Sequence, residues 1–227
     1  AVKVKDLYID IGAMSKEEAE KYVSLGDMIA FNTKFGETND IIKGKALDRF
    51  GVIPVALAMS ETVEYDTYFV FSAQREVPCS VMGRGMKIAS YRINPDFAFI
   101  VDTVNSEDFP DRKYASSILG EGGVIEYMDR ASIADTMFID EIKALSKRNN
   151  IKIQHKTSSR GASIAGAAAV ASEGAVIATV GIPCRYAHTP VCMMNKNDID
   201  DVTALTKAFV RESDVIIDGF IKKTNRD

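Results

Sequence analysis

Three unbroken runs of β-branched and aromatic residues constrain the fold of this 227-residue chain more than anything else in it. They are Thr67–Ala73 (TYFVFSA), Asp96–Thr103 (DFAFIVDT) and Ala175–Val180 (AVIATV). A strand with one wet face alternates apolar and polar residues, whereas a strand covered on both faces does not. Each run therefore predicts an interior strand of a sheet with helices on both sides. The intervening segments agree. Gly51–Thr62 reads as a helix with Pro54 in its first turn. Gly85–Tyr91, Ile133–Asn149 and Ser163–Glu173, closed by Gly174, also read as helices, as does Asp198–Ile221 with Asp198 or Asn197 as N-cap. Met28–Phe31, Ile41–Lys45 and Ile151–His155 read as shorter strands. Strand–helix–strand alternation predicts an α/β fold. Residues 1–42 differ. They are turn-rich apart from a short helical stretch, Ser15–Tyr22, and read as the end of a separate β-domain, leaving residues 43–227 as the α/β domain.

Composition removes several functional classes. A net charge of −4 and the absence of a Lys/Arg run exclude a phosphate-tracking surface, so no nucleic-acid partner is expected. No apolar stretch reaches the ~20 residues of a membrane span, and the opening AVKVKDLYID lacks the apolar core of a signal peptide, so no membrane is expected either. Cys79, Cys184 and Cys192 are odd in number and show no C-x-x-C spacing. They read as reduced structural thiols in a cytoplasmic protein.

In α/β sheets, functional groups gather at strand ends and in the loops that follow. Asp48 lies just before a predicted helix. Glu76 follows the first strand run, Asp102 ends the second, and His188 follows the third within RYAHTP. Three carboxylates and an imidazole from four loops suit zinc, cobalt or manganese. Each also has a purely structural reading: Asp48 as an N-cap, Glu76 as a solvated loop carboxylate, Asp102 as a turn acceptor and His188 as a hydrogen-bonded loop histidine. His155, at a strand end, reads as structural. No G-x-S-x-G elbow is present, Cys184 and His188 match no nucleophile signature, and GEGG at Gly120–Gly123 is not a phosphate loop.

Five motifs in order carry a family resemblance: GKALD at Gly44–Asp48, FSAQREV at Phe71–Val77, FAFIVDT at Phe97–Thr103, LGEGGVIEYMD at Leu119–Asp129 and IPCRYAHTP at Ile182–Pro190. Together they resemble the dinuclear-metal aminopeptidases that include the TET peptidases and glutamyl aminopeptidases, a family whose members also carry the label endoglucanase or cellulase. The opening DLYIDIGAMSKEEAEKYVSLGDMIAF resembles the end of that family's inserted domain. The resemblance implies a central mixed β-sheet flanked by helices, plus a small β-barrel-like dimerisation domain. It also implies a homo-oligomer, peptide substrates and a divalent-metal site. By that likeness Asp48 would bridge two ions, Glu76 and His188 would complete one, and Asp102 would bind the other. A bridging carboxylate offsets the repulsion of two cations ~3.5–4 Å apart.

This chain departs from the pattern at several positions. The family has two consecutive glutamates after the strand, a general base and then a ligand, and here the first is Arg75. Arginine stays protonated and offers no acceptor. Arg49 follows Asp48 where an acid or amide is expected, and Ser163 stands where the family has an acid in Gly161–Ala162–Ser163. The family's first metal-binding histidine belongs to a segment upstream of the inserted domain and is expected to be missing. These departures lead to the expectation of a metalloaminopeptidase homologue with impaired activity, at most one divalent ion per chain, and Arg75 paired with Asp48 or Asp102. A non-catalytic member acting in assembly or peptide binding is the alternative. A glycoside hydrolase ranks below both, because the chain has no Trp and no visible aromatic platform for a sugar.

Overall fold

The computed structural model describes residue 3 and residues 6–77, 83–110, 115–159 and 161–225. Cys79 lies outside them. Two compact units are present, Ala1–Asn32 and Thr33–Asp227. The smaller unit holds one helical turn, α1 (Lys16–Ala19), whose N-cap Ser15 accepts the amide of Glu18. No residue of α1 is buried, and Leu7, Tyr8, Ile9, Met14, Leu25, Met28 and Ile29 of the same unit are exposed. Met28–Phe31, expected as a strand, has no regular structure. A strand exists only through a partner's backbone, and a segment this short cannot build a core that would hold one in place.

The larger unit contains two sheets. β1 (Gly36–Thr38), β2 (Ile41–Gly44) and β7 (Cys192–Asn195) form a small antiparallel sheet in the order β1-β2-β7. The main sheet is mixed. It contains β3 (Phe97–Asn105), β4 (Gly123–Glu126), β5 (Ile153–Lys156) and β6 (Val176–Cys184) in the order β3-β6-β4-β5. β3 runs parallel to β6 with Phe97 opposite Val176 and Asn105 opposite Cys184, and β4 is antiparallel to β6. The helices are α2 (Val52–Ala58), α3 (Arg84–Ile93), α4 (Thr136–Arg148), α5 (Ala165–Ala169), α6 (Lys196–Arg211) and α7 (Ser213–Thr224).

The period of two along β3 sorts its side chains between the two faces. Phe97, Phe99 and Val101 pack against a core built from Phe138, Ile142 and Leu145 of α4, Leu205 of α6 and Phe220 of α7. Ala98 and Ile100 meet Met86 of α3 and the alanines of α5. The α/β sandwich read from the sequence is therefore the observed one. Two of the three expected interior strands are strands, β3 and β6, but among the described residues β6 alone of the two is interior and β3 lies at the sheet's edge.

Thr67–Ala73 is the exception. Among the described residues it forms no strand, and it is not buried on both faces: Val70 packs on the second core, but Tyr68 is 66% and Phe71 50% exposed. An apolar run reports what could be buried, not whether a neighbouring backbone lies alongside, and no strand of the sheet pairs with this one. The single C-terminal helix expected over Asp198–Ile221 is also two helices. The chain turns at Glu212, whose carboxylate is held by Arg148 (2.6 Å), Asn149 (3.0 Å) and Arg211 (3.2 Å). That turn redirects Ile216 and Phe220 onto α4. The N-cap of α6 is Asn195, which accepts the amide of Asn197. Asp198, expected as a cap, is fully buried and instead accepts the amides of Gly120 (2.8 Å) and Gly122 (2.7 Å). This explains GEGG. Gly122 has φ +92°, and a Cβ there would lie 2.3 Å from the Lys152 carbonyl oxygen, so only glycine fits.

Candidate functional site

The candidate residues come from the carboxyl-terminal half of β3, the loop after β6 and two turns, and local backbone constraints aim them. Asp48 lies in a 3₁₀ turn, Leu47–Arg49, entered through Ala46 in the left-handed region (φ 59°). Arg75 and Glu76 follow Gln74 at φ 57°, and His188 itself sits at φ 62°. Left-handed backbone at non-glycine residues is costly and collects where the surroundings fix a functional geometry. Asp102 is carried by β3, one residue from Thr103, whose hydroxyl donates to the Asp48 carbonyl at 2.9 Å. That bond ties the Asp48 turn to the strand.

A cavity of about 60 Å³ is lined by Asp48, Arg49, Arg75, Asp102 and His188, with Ser163 and the Glu126–Lys156 pair completing its wall. Asp48 Oδ2 lies 3.7 Å from His188 Nδ1. Arg75 dominates the rest. Its Nε and Nη2 donate to Asp102 Oδ2 at 3.1 and 2.7 Å, and its Nη1 donates to Glu76 Oε1 at 2.9 Å. The second Asp102 oxygen accepts the Thr103 amide at 2.8 Å. Arg49 donates to the same Glu76 oxygen at 3.0 Å. Of the two expected Arg75 partners, Asp102 is the one observed.

The electrostatics follow from these contacts. Burial opposes the charge on Arg75, but Asp102 and Glu76 outweigh it and hold the guanidinium above its ordinary range. Burial raises Glu76, while Arg49 and Arg75 pull it below the usual carboxylate value. Lys156 and Glu126 are 3% and 8% exposed and form an ion pair. Burial still pushes the Glu126 carboxyl up, against the pull of Lys156. Burial likewise raises the Cys184 thiol, with Cys192 and Asp48 adding to the rise. Beside the cavity, Asp108 receives Arg185 and the Ser106 hydroxyl. Asp129 accepts the Ser163 amide at 2.6 Å and so fixes the Gly161–Ser163 loop.

A metal ion does not fit this arrangement. An ion needs ligand oxygens at ~2.0–2.2 Å, and Glu76 Oε1 and Asp102 Oδ2 are engaged by guanidinium groups. Among the described residues no three His, Cys, Asp or Glu side chains are grouped to hold a metal. Sequence reasoning singled out Arg49, Arg75, Asp48, Asp102, Glu76 and His188, but missed Lys156 with Glu126 and the Asp108–Arg185 pair. A charged residue closing the all-buried strand GVIE was the available signal for the first pair.

The match to known proteins spans most of the chain. A putative aminopeptidase of Acetivibrio thermocellus is 34% identical over 207 residues, covering 90% of this chain and 62% of that protein. An aminopeptidase from the archaeon Desulfurococcus kamchatkensis superposes with a TM-score of 0.86 at 32% identity, covering 93% of this chain and 61% of the other. The TET1 peptidase of Pyrococcus horikoshii, which can assemble into a tetrahedron or a large octahedral shell, superposes with a TM-score of 0.74 at 28% identity over 89% of this chain and 60% of its own. The chain thus spans about three-fifths of the length of these relatives. Among the described residues no helix is long and apolar enough to cross a membrane. Residues 1–205 match the family model for M42 glutamyl aminopeptidases, and the chain belongs to that family.

Proposed function

We propose that this chain is an M42 aminopeptidase homologue in which hydrolysis of N-terminal residues from peptides is impaired at the chemical step. One observation carries the reading: the Arg75 guanidinium lies 2.7 Å from Asp102 and 2.9 Å from Glu76, where the family resemblance places the general base and its neighbouring ligands. A guanidinium cannot take a proton from water, and positioned general-base assistance is typically worth ~10²–10⁴ in rate. Its fixed charge also repels a dication. The reading assigns at most one zinc, cobalt or manganese ion per chain, and any such ion would have to displace the guanidinium contacts on Glu76 and Asp102 before Asp48, Glu76, Asp102 and His188 could hold it.

The test is direct. Purified chain is incubated with zinc, cobalt or manganese, bound metal is counted, and a panel of N-terminal aminoacyl anilides is assayed. The expected outcome is at most one ion per chain and release no faster than metal alone supports. Two tightly bound ions with robust release of any one residue would overturn the proposal.

A second element, self-association into a homo-oligomer, has its own support. The apolar side chains of the Ala1–Asn32 unit are exposed in the single chain, and contiguous exposed apolar surface marks an interaction site.

A further inference from the structure

We infer that Arg75 is a built-in counter-ion occupying the position of a divalent cation, so that its ion pairs and cation binding exclude each other. The inference deepens the proposed function and rests on it.

Asp48 and Asp102 line the cavity with Arg75, which also pairs with the exposed Glu76. Carboxylates that share one small cavity repel one another, and without a cation beside them the set carries uncompensated negative charge. Here Arg75 and Arg49 supply the positive charge. Two Arg75 N–H groups converge on Asp102 Oδ2, a third reaches Glu76 Oε1, and Arg49 shares that same oxygen. With His188 beside Asp48, three carboxylates face two guanidinium groups and one imidazole. The cluster is near neutrality without any added ion. The Arg75 side chain is 19% exposed, so this charge sits inside the cluster and not beyond it. A guanidinium holds its proton at any physiological pH, which makes the compensation permanent.

Adding a dication to this balanced set would bring it against a fixed positive charge and would require carboxylate lone pairs that Arg75 holds. Removing the Arg75 charge reverses both terms. It leaves carboxylate and imidazole donors, the set that suits zinc or manganese, with a negative charge to neutralise.

The experiment compares wild type with Arg75→Gln and Arg75→Lys by equilibrium dialysis and calorimetry against zinc and manganese salts alone. The expected result is affinity about tenfold or more tighter in Arg75→Gln than in wild type, with a melting temperature lowered without metal and raised by it. Arg75→Lys keeps the charge but loses the planar fork, and is expected to bind metal as weakly as wild type. Equal affinities in wild type and Arg75→Gln would overturn the inference. So would Arg75→Lys behaving like Arg75→Gln, because the exclusion would then be geometric and not electrostatic. If Arg75→Gln does not fold, the double variant Arg75→Gln/Asp102→Asn removes both the cation and the carboxylate it compensates, and is expected to fold again. A double variant that stays unfolded would equally refute the counter-ion role. Release of aminoacyl anilides by the wild type would sink the functional reading. An inactive wild type whose Arg75→Gln variant gains no affinity sinks the counter-ion alone.

Discussion

Replacing Lys156 with Met tests the charge balance of the cavity wall. Lys156 is 3% exposed and paired with Glu126 at 8%, so the substitution leaves a carboxylate buried among other acids, with Asp129 and Asp102 already raising its pKa. Breaking a buried pair typically costs ~3–5 kcal/mol. A ceiling follows from titration, because Glu126 can escape by taking a proton. From an ordinary carboxyl pKa near 4.3, protonation costs about 4 kcal/mol at pH 7.5 and about 1 kcal/mol at pH 5. In the variant the folded pKa of Glu126 lies above its unfolded value, so the stability it contributes is full below the unfolded pKa and lost as pH rises. The deficit relative to wild type should therefore shrink by up to roughly 3 kcal/mol between pH 7.5 and pH 5, less whatever the already raised wild-type Glu126 gains over the same range. Urea unfolding followed by circular dichroism at both pH values reads it. Lys156→Met/Glu126→Leu should recover most of the loss at pH 7.5, since a hydrophobic pair replaces an ion pair at little cost. A deficit under about 1 kcal/mol at pH 7.5, or one indifferent to pH, would refute the reasoning.

Asp198 and the small unit offer two further tests. Burial pushes Asp198 up to about 6, against the pull of the Gly120 and Gly122 amides, so its contribution is full below the ordinary aspartate pKa and declines as pH rises through 6. Asp198→Asn should abolish that decline between pH 4 and 6 in a series of urea midpoints, and an unchanged slope would show that the group does not titrate there. Leu25→Asp with Met28→Asp alters residues exposed in the single chain. It should leave the free energy of urea unfolding within ~0.5 kcal/mol of wild type while reducing the mass seen by light scattering. An unchanged mass would place self-association elsewhere.

The sequence reports some of this structure well because the cause is local. β3 and β6 follow from unbroken apolar runs, and α3 and α4 from their periodicity. The turn at Glu212 is not local. Nothing between Asp198 and Ile221 breaks a helix, and the grip comes from Arg148 and Asn149 at the end of α4. Asp102 lies within β3, three residues before its end, and His188 four residues past the end of β6, and the parallel β3–β6 register carries both toward the same side of the sheet. The Arg75–Asp102 contact was foreseeable from charge and arginine geometry. Lys156 with Glu126 was not, since the partners lie on separate strands and only the β4–β5 register, Glu126 opposite Lys156, makes them neighbours.

The unpaired run Thr67–Ala73 has a consequence outside the folded state. TYFVFSA is seven residues of high β-propensity with no charge, proline or glycine, the composition of segments that stack into cross-β fibrils. Tyr68 and Phe71 are exposed in the native chain, so the segment needs little unfolding to meet another copy of itself. Asp66 stands immediately before it, and Arg75 follows after Gln74. Charges flanking such a run act as gatekeepers, because stacking copies in register would stack like charges. Arg75 thus guards the solubility of the run that leads into the cavity as well as the neutrality of the cavity itself, and a substitution there moves both.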